Sequence, residues 1–172
     1  MSANDNADRT SWLGREFLTW LWFESERNST HIELENIGAV AVDFGQSLVL
    51  EAPGLGADGN TVKSDAPTQA EEARTALRTG KKVAKTRILV DHGEQHYEVS
   101  FSAETFTFGA AKLPTVLTSV DDERLDERLA LFDRLEAILD GLYVKFVRLR
   151  MDDEAWAEVR AAMYRWVVTP TE

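Results

Sequence analysis

Cysteine is absent from this chain of 172 residues, and proline occurs only four times. Without cysteine the protein forms no disulfide and has no thiol chemistry, which suits a reducing compartment. Basic residues are also in the minority: 19 lysines and arginines stand against 30 acidic residues, so the formal net charge is −11. A field of that sign repels polyanions, and any contact with nucleic acid therefore requires a local basic patch.

Long apolar stretches are missing as well. No run approaches the roughly 20 residues that a membrane-spanning helix needs, and residues 1–11 lack the basic start and apolar core of a secretory signal. These absences predict a cytoplasmic protein without membrane contact. The length suits one domain with a core of its own. We expect a disordered tail over residues 1–9 and a single domain over residues 10–169.

The most distinctive string is LGREFLTWLWFESE, at residues 13–26, with three of the five tryptophans inside or beside it. As a helix it has two apolar faces, one formed by Leu13, Phe17, Trp20 and Leu21 and the other by Leu18 and Trp22. A surface helix normally has one such face. This helix is therefore either a core helix, covered by the sheet and the C-terminal helices, or packed against a partner. In the second case the candidate interface residues are Trp12, Phe17, Leu18, Trp20 and Trp22.

The middle of the chain has the alternation and turn residues of an antiparallel sheet. Residues 32–37, 39–44 and 47–51 predict a three-stranded meander, with turns at Gly38 and at the Gly45-Gln46 pair. A short strand over residues 61–64 and a helix from Thr68 to a C-terminal Gly80 are expected next. Residues 83–91 and 95–101 then form a hairpin, and residues 105–108 add a further strand.

Two helices are expected at the C-terminal end. The first begins at Asp121 and has a heptad seam formed by Phe132, Leu135, Leu139, Leu142, Phe146 and Leu149. Gly141 interrupts this seam, so residues 142–150 are either helix or strand. The second has one apolar stripe from Trp156 to Trp166. The sequence therefore predicts an α+β fold: an aromatic N-terminal helix, an antiparallel sheet crossed by one helix, and two C-terminal helices.

The sequence contains no complete catalytic, cofactor or metal-binding motif. Residues 54–59 match G-x-G-x-x-G, but no helix follows them, and a dinucleotide site needs a helix N-terminus for the pyrophosphate. Asp91, His92 and His96 surround a hairpin turn without a further strong metal ligand nearby. No G-x-S-x-G elbow is present. We therefore expect no enzyme activity, no cofactor and no metal.

Basic residues are segregated in one segment. Residues 74–87 contain no acid and carry Arg74, Arg78, Lys81, Lys82, Lys85 and Arg87. Arg74 and Arg78 share a helix face, and Lys85 and Arg87 share a strand face, so the six side chains are expected to converge on a row of phosphates. The alternative is a solvent-exposed face that the acidic C-terminal helices neutralise.

The string LGREFLTWLWF resembles a hallmark of the RdgC family of recombination-associated proteins. The segment GKKVAK at residues 80–85, with the helix before it and the strand after it, is similar to an element of that family's C-terminal half. The hairpin, the charged helix from Asp121 and the tryptophan-bearing end fit the same half, so the resemblance covers most of residues 11–168.

This resemblance implies a non-catalytic α+β protein that binds duplex DNA. Members form a ring-shaped dimer that encircles DNA with little sequence preference and limits loading of the RecA recombinase. Lys81, Lys82 and Lys85 would then contact backbone phosphates.

Two departures from the family leave two function hypotheses open. The resemblance covers only the C-terminal half, and a ring threaded by DNA requires a positive bore, whereas this chain is acidic. The first hypothesis is sequence-non-specific binding of double-stranded DNA, associated with recombination and the nucleoid. The second is a protein–protein assembly module, homo- or hetero-oligomeric, that uses the aromatic helix or the seam over residues 132–149 and has lost DNA binding.

Overall fold

The computed structural model describes residues 3–28, 31–52 and 59–169, with side chains in the first helix described from Trp12 onward. Within these ranges the chain has an α+β fold of four α-helices, a short 3₁₀ helix (Pro67–Gln69) and one six-stranded antiparallel sheet. The elements in chain order are α1 (Ala3–Arg27), β1 (His31–Leu34), β2 (Gly38–Glu51), β3 (Gly59–Lys63), α2 (Glu71–Arg78), β4 (Lys82–His92), β5 (Gln95–Ser102), β6 (Thr107–Lys112), α3 (Asp121–Met151) and α4 (Asp153–Val168).

The strand order is β1-β2-β4-β5-β6, and β3 pairs with the same edge of β2 as β1 does, further along that strand. The aromatic N-terminal helix, the helix between β3 and β4 and the two C-terminal helices are all present, which confirms the predicted fold class. No helix within the described residues is both long and apolar enough to cross a membrane.

Helix α1 begins at Ala3 and so runs through most of the segment that the sequence predicts as a disordered tail.

The aromatic part of α1 is a core helix. Phe17, Leu18, Trp20 and Trp22 are at most 1% exposed. The ring of Phe17 lies 5.7 Å from that of Phe101 on β5. The two apolar faces meet the sheet on one side and the C-terminal helices on another, so these four residues are not available to a partner. The interface prediction is therefore wrong for them, while Trp12 remains 40% exposed.

Strand β2 is one strand of 14 residues where the sequence indicated two strands joined by a turn. Its pairing with β4 shifts register between Phe44 and Leu48, so Gly45 lies in a β-bulge. A Cβ at Gly45 would lie 3.1 Å from Cβ of Arg87. Because β4 continues past this point and pairs on both sides of it, the extra residues are absorbed as a bulge and the chain does not reverse.

Helix α2 ends as the sequence predicts. Gly80 has a φ of +87°, in the region that favours glycine. Its N–H donates to the carbonyl of Leu77 and the N–H of Lys81 donates to that of Ala76, each at 3.0 Å. This pair of bonds is the Schellman pattern of a helix C-terminus, and it turns the chain directly into β4.

Helix α3 is continuous through Gly141, so residues 142–150 are helical. A Cβ at Gly141 would lie 3.3 Å from Cδ1 of both Leu34 and Ile37, so the glycine permits the close approach of the segment around β1. The predicted seam is wrong at its first position, because Phe132 is 49% exposed and Leu131 is buried in its place. The buried stripe of α3 is Leu131, Leu135, Ile138, Leu139, Leu142 and Phe146.

The described helices all lie on one face of the sheet, and within the described residues no helix covers the other face. Along β4, Thr86, Ile88 and Val90 are buried, whereas Lys85, Arg87 and Leu89 alternate with them and are exposed or half-buried. A concavity on this second face is lined only by residues of β2, β4, β5 and β6. We call this second face of the sheet, which includes Lys85, Arg87 and Leu89, the open face.

The close packing of α1 on the end of β5 gives a test of the core. Replacing Gly14 by Ala would place a Cβ 2.8 Å from the carbonyl oxygen of Ala103 and 2.9 Å from its Cα. We expect a loss of about 1–3 kcal/mol in the free energy of unfolding, although Ala is favoured over Gly inside a helix by about 1 kcal/mol. Urea denaturation measures the difference. Gly109→Ala is the matched control, because nothing lies within 4 Å of its Cβ position, and an equal loss there would contradict the account.

Candidate nucleic-acid interface

Arg74, the first residue of the basic segment, is a core residue and is 4% exposed. Its guanidinium forms an ion pair with Glu26 and donates a hydrogen bond to the carbonyl of Trp166 at 3.2 Å. The same group lies 4.3 Å from the centroid of the Trp166 ring. Glu26 also accepts hydrogen bonds from the indole N–H groups of Trp22, at 2.5 Å, and Trp166, at 2.8 Å. Arg74 therefore joins α1, α2 and α4 and is not available to phosphate.

Arg78 lies one turn further along α2 and is likewise engaged. Its Nε donates to the carbonyl of Val167 at 3.1 Å, near the C-terminal end of α4, and its Nη1 lies 2.9 Å from Glu71. Cations are favoured at a helix C-terminus, where carbonyl groups lack partners within the helix. Arg78 thus contributes to the attachment of α4 to α2.

Lys81 immediately precedes β4 and Lys82 is its first residue, and both have partners on other elements. Lys81 donates to the side-chain oxygen of Asn60 at 2.6 Å. Lys82 lies 3.6 Å from a carboxylate oxygen of Glu16, and its ammonium is 5.4 Å from the centroid of the Trp12 ring. Arg150 of α3 shares both partners, at 3.0 Å from Glu16 and 5.2 Å from Trp12.

The prediction that all six basic side chains converge on one surface is therefore wrong. Four of them are held by partners distant in sequence, in particular Glu16, Glu26 and Asn60. The pattern within residues 74–87 contains no signal of these contacts, because an ion pair between elements depends on the fold and not on local spacing. Only Lys85 and Arg87, which share a strand face as predicted, reach the open face.

The open face brings Lys85 and Arg87 together with Lys112, a residue outside the predicted segment. All three line a concavity of about 650 Å³, along with the hydroxyl-bearing Ser47 and Ser100. Register places them side by side, because residues directly opposite one another on paired strands share a face. The cross-strand partner of Arg87 is Ser100, and that of Lys112 is Glu98.

Glu98 lies among these cations. Its carboxylate accepts from Lys112 at 2.9 Å and from Arg87 at 3.2 Å. The hydrogen bond from Lys112, followed by the positive charges of Lys112, Arg87 and His96, lowers the pKa of Glu98 below its ordinary 4.5 even though burial opposes this. The carboxylate is thus ionised at neutral pH, where it holds both cations and offsets one of their charges.

Charge is distributed unevenly along the open face. Lys63 is the cross-strand partner of Ser47 and adds a cation beside the concavity. Asp43 and Asp91 pair with Leu89 and His96, further toward the hairpin turn between β4 and β5. The basic end of the face is therefore near the bulge of β2, and the acidic end is near the hairpin.

The chemistry of the concavity suits phosphate groups. Its described lining contains lysine, arginine and serine but no aromatic ring. Lysine, arginine and serine donate hydrogen bonds to phosphate oxygens, whereas stacking of bases requires aromatic side chains. The site is therefore able to contact a nucleic-acid backbone without distinguishing bases.

The two histidines beside the β4–β5 turn have partners within the protein, and most of the G-x-G-x-x-G string lies outside the described residues. Nδ1 of His96 lies 2.5 Å from Asp91, and Nε2 of His92 lies 3.2 Å from the carbonyl of Ile37. Among the residues that the structure describes, no group of three or more histidine, cysteine or acidic side chains is arranged to hold a metal ion. Residues 54–58 of the G-x-G-x-x-G string lie outside the described ranges.

Comparison of the chain with models of protein families, with curated proteins and with solved structures gives no match. The resemblance to the RdgC family stays a prediction that rests on the residues at 13–23 and 80–85.

The structural role of Arg74 is open to a direct test. Arg74→Ala removes the ion pair with Glu26, whose side chain is 30% exposed, and the packing of the buried guanidinium on the Trp22 and Trp166 rings, so we expect a loss of about 1–3 kcal/mol in unfolding free energy. DNA affinity of the folded variant should not change. Urea unfolding and DNA titration provide the two measurements. Arg160→Ala, on an exposed part of α4, should alter stability by less than about 0.5 kcal/mol. Weakened DNA binding by folded Arg74→Ala would contradict the assignment.

The lowered pKa of Glu98 predicts a dependence of stability on pH. A carboxylate whose pKa is lower in the folded state stabilises that state at pH values above the unfolded pKa of about 4.5. This stabilisation is lost as the pH falls through the folded pKa. The difference in unfolding free energy between the parent protein and Glu98→Gln should therefore be constant near pH 7 and shrink below about pH 4.5. A difference independent of pH would show that the cationic neighbours do not lower the pKa of Glu98.

Proposed function

We propose that this protein is a non-catalytic DNA-binding domain that contacts the phosphate backbone of double-stranded DNA through its open face, without sequence preference. The observation that carries the proposal is the group of Lys85, Arg87 and Lys112 in one shallow, hydroxyl-lined concavity. A cytoplasmic location with nucleoid association, a role in recombination and a relationship to the RdgC family belong to the same proposal.

The balance of charge within the concavity supports this proposal. Lys85, Arg87 and Lys112 line the concavity together with one carboxylate, that of Glu98, and Lys63 lies beside it. Asp65, which accepts a hydrogen bond from the lining residue Gln46 at 3.3 Å, and Asp43, the cross-strand partner of Leu89, adjoin it on the acidic side. The lining itself is thus positive, although the whole chain carries −11. Phosphate contacts act at short range, because salt screens charges separated by more than about 8–10 Å. A local cluster therefore attracts a backbone segment while the distant acidic helices weaken binding only moderately.

The shape of the sheet supports contact with a backbone and not with base edges. Reading base edges requires a helix or ribbon inserted into the major groove. On the open face the strands form a broad surface, and the described helices that cover the sheet lie on the other side. Affinity should thus depend on salt and charge and be similar for duplexes of different sequence.

Charge changes on the open face test this proposal. The double variant Lys85→Glu with Arg87→Glu should weaken binding of a fluorescent 20-base-pair duplex by about tenfold or more, because it removes phosphate contacts. Glu98→Gln should strengthen binding by about threefold, because it releases Arg87 and Lys112 from a competing carboxylate. Fluorescence anisotropy measures both affinities.

A matched control separates local contacts from net charge. Arg160→Glu with Arg165→Glu changes net charge by the same amount on exposed positions of α4. If this control weakens binding as much as the Lys85 and Arg87 variant, or if Glu98→Gln weakens it, the open face is not the DNA site.

A second candidate function, assembly with another protein, is favoured by a different observation. Leu125, Leu129 and Phe132 of α3 are 61%, 53% and 49% exposed and follow one another at spacings of four and three. Monomeric proteins rarely expose a continuous apolar stripe of this kind without a function. A module that acts only in assembly would use α3 and would be indifferent to the charge changes on the open face.

A further inference from the structure

An apolar groove of about 510 Å³ runs between α3 and the strands β5 and β6. Its walls are formed by Phe106 and Phe108 on one side and by Phe132, Leu139 and Tyr143 on the other. The ring centroids of Phe106 and Tyr143 are 4.8 Å apart, so these two side chains are in contact across the groove. The groove is on the helix side of the sheet and is therefore separate from the open face.

The apolar surface continues from the groove along α3. Leu125 and Leu129 precede Phe132 on the same helix face and form an exposed stripe with it, which the largely buried Leu139 and the half-buried Tyr143 continue into the groove, past the exposed Glu136, as far as residue 143. At 1.5 Å per residue this stripe is about 27 Å long. That length matches a helix of about 18 residues lying alongside α3.

Acidic residues follow one side of this stripe. Asp122, Asp126, Asp133 and Asp140 recur at spacings of four and seven, so they share the helix face next to the stripe, and all four are exposed. Glu136 lies within the stripe and, with Asp140, lines the groove. The groove therefore presents an apolar surface with a negatively charged margin.

The opposite margin of the groove is an edge strand that is poorly suited to accept another strand. β6 is the terminal strand of the described sheet, and its pairing with β5 is interrupted by a register shift between Glu98 and Ser100. Ala110 has a φ of +48°, in the left-handed region. Bulges of this kind hinder strand addition at sheet edges. A helical occupant fits the groove better than an extended one.

We infer that this groove binds an amphipathic helix of another protein, with apolar residues on one face and lysine or arginine beside them. The apolar residues of such a helix occupy the groove and contact Phe132, and its basic residues pair with the acidic margin of α3. A second copy of this chain fits less well, because the four aspartates along each margin outnumber the exposed Arg124 and Arg128 of the same helix segment. This inference does not depend on DNA binding by the open face.

A synthetic probe tests the inference. The probe is an 18-residue helical peptide made of leucine and lysine, with leucine at helical spacing on one face. The matched peptide has the same composition with leucine scattered around the helix, so it has the same charge but no apolar face. We expect the first peptide to bind at least about tenfold more tightly than the second, as measured by fluorescence anisotropy at about 0.15 M salt.

Protein variants locate the binding. Phe132→Ala removes an exposed aromatic side chain and should lower the affinity for the amphipathic peptide about tenfold. Asp133→Lys with Asp140→Lys should lower that affinity by a similar factor, because it removes and reverses the charges that pair with the peptide. Glu94→Lys with Glu158→Lys makes the same change in net charge at exposed positions away from the groove and should change affinity by less than about twofold.

Three results would overturn the inference. The first is equal affinity for the two peptides, and the second is an equal effect of the control variant, since each would indicate attraction by net charge alone. The third is a concentration-dependent dimer in light scattering that Phe132→Ala dissociates, because the groove would then be occupied by a second copy. None of these results bears on the duplex titration, so failure of this inference is distinguishable from failure of the DNA-binding proposal.

Discussion

Burial of α1 against the sheet and the C-terminal helices is the interaction on which the rest of the structure depends. Its aromatic part is apolar on two faces, and Phe17, Trp20 and Trp22 are all within 1% of full burial. Such a helix needs cover on both faces. The sheet covers one of them, and α3 and α4 reach the other, as the Phe17–Phe146 and Trp22–Trp166 contacts show. All of these helices therefore gather on one side of the sheet. Within the described residues the opposite side is left as a broad strand surface that carries Lys85, Arg87 and Lys112.

The same packing divides the basic residues into two groups. Arg74, Lys82 and Arg150 lie near α1 and pair with its acids Glu16 and Glu26, so their charges attach helices to one another. Lys85, Arg87 and Lys112 lie on the open face, where Glu98 offsets one charge among them. The acidic excess is concentrated elsewhere, notably in the first half of α3. An acidic protein can in this way keep a positive face and an acidic groove on opposite sides of one sheet.

Local patterns predicted the element types well. Alternation, the glycine at position 80 and the acidic start of α3 each act within a few residues, and the structure confirms the elements that they indicated. The predictions that are wrong concern residues whose conformation or partner is determined by a contact distant in the sequence. Gly45 lies in a bulge because β4 pairs on both sides of it. Gly141 lies within a continuous helix, where the absence of a side chain lets Leu34 pack closely. Residue spacing alone groups Arg74 with the phosphate contacts, because its partner Glu26 is 48 residues away in the sequence. The same spacing does not indicate Lys112, because its neighbours on the open face come from other strands.

The central claim is that the open face contacts DNA phosphates, and the salt dependence of duplex binding by the unmodified protein tests it most directly. Anisotropy titrations from about 50 mM to 200 mM salt give the slope of log affinity against log salt. Three or four phosphate contacts by Lys63, Lys85, Arg87 and Lys112 predict a slope near −3, at about 0.9 per phosphate, with the same value for duplexes of different sequence. Absence of binding at about 50 mM salt, or binding that salt does not weaken, would contradict the account.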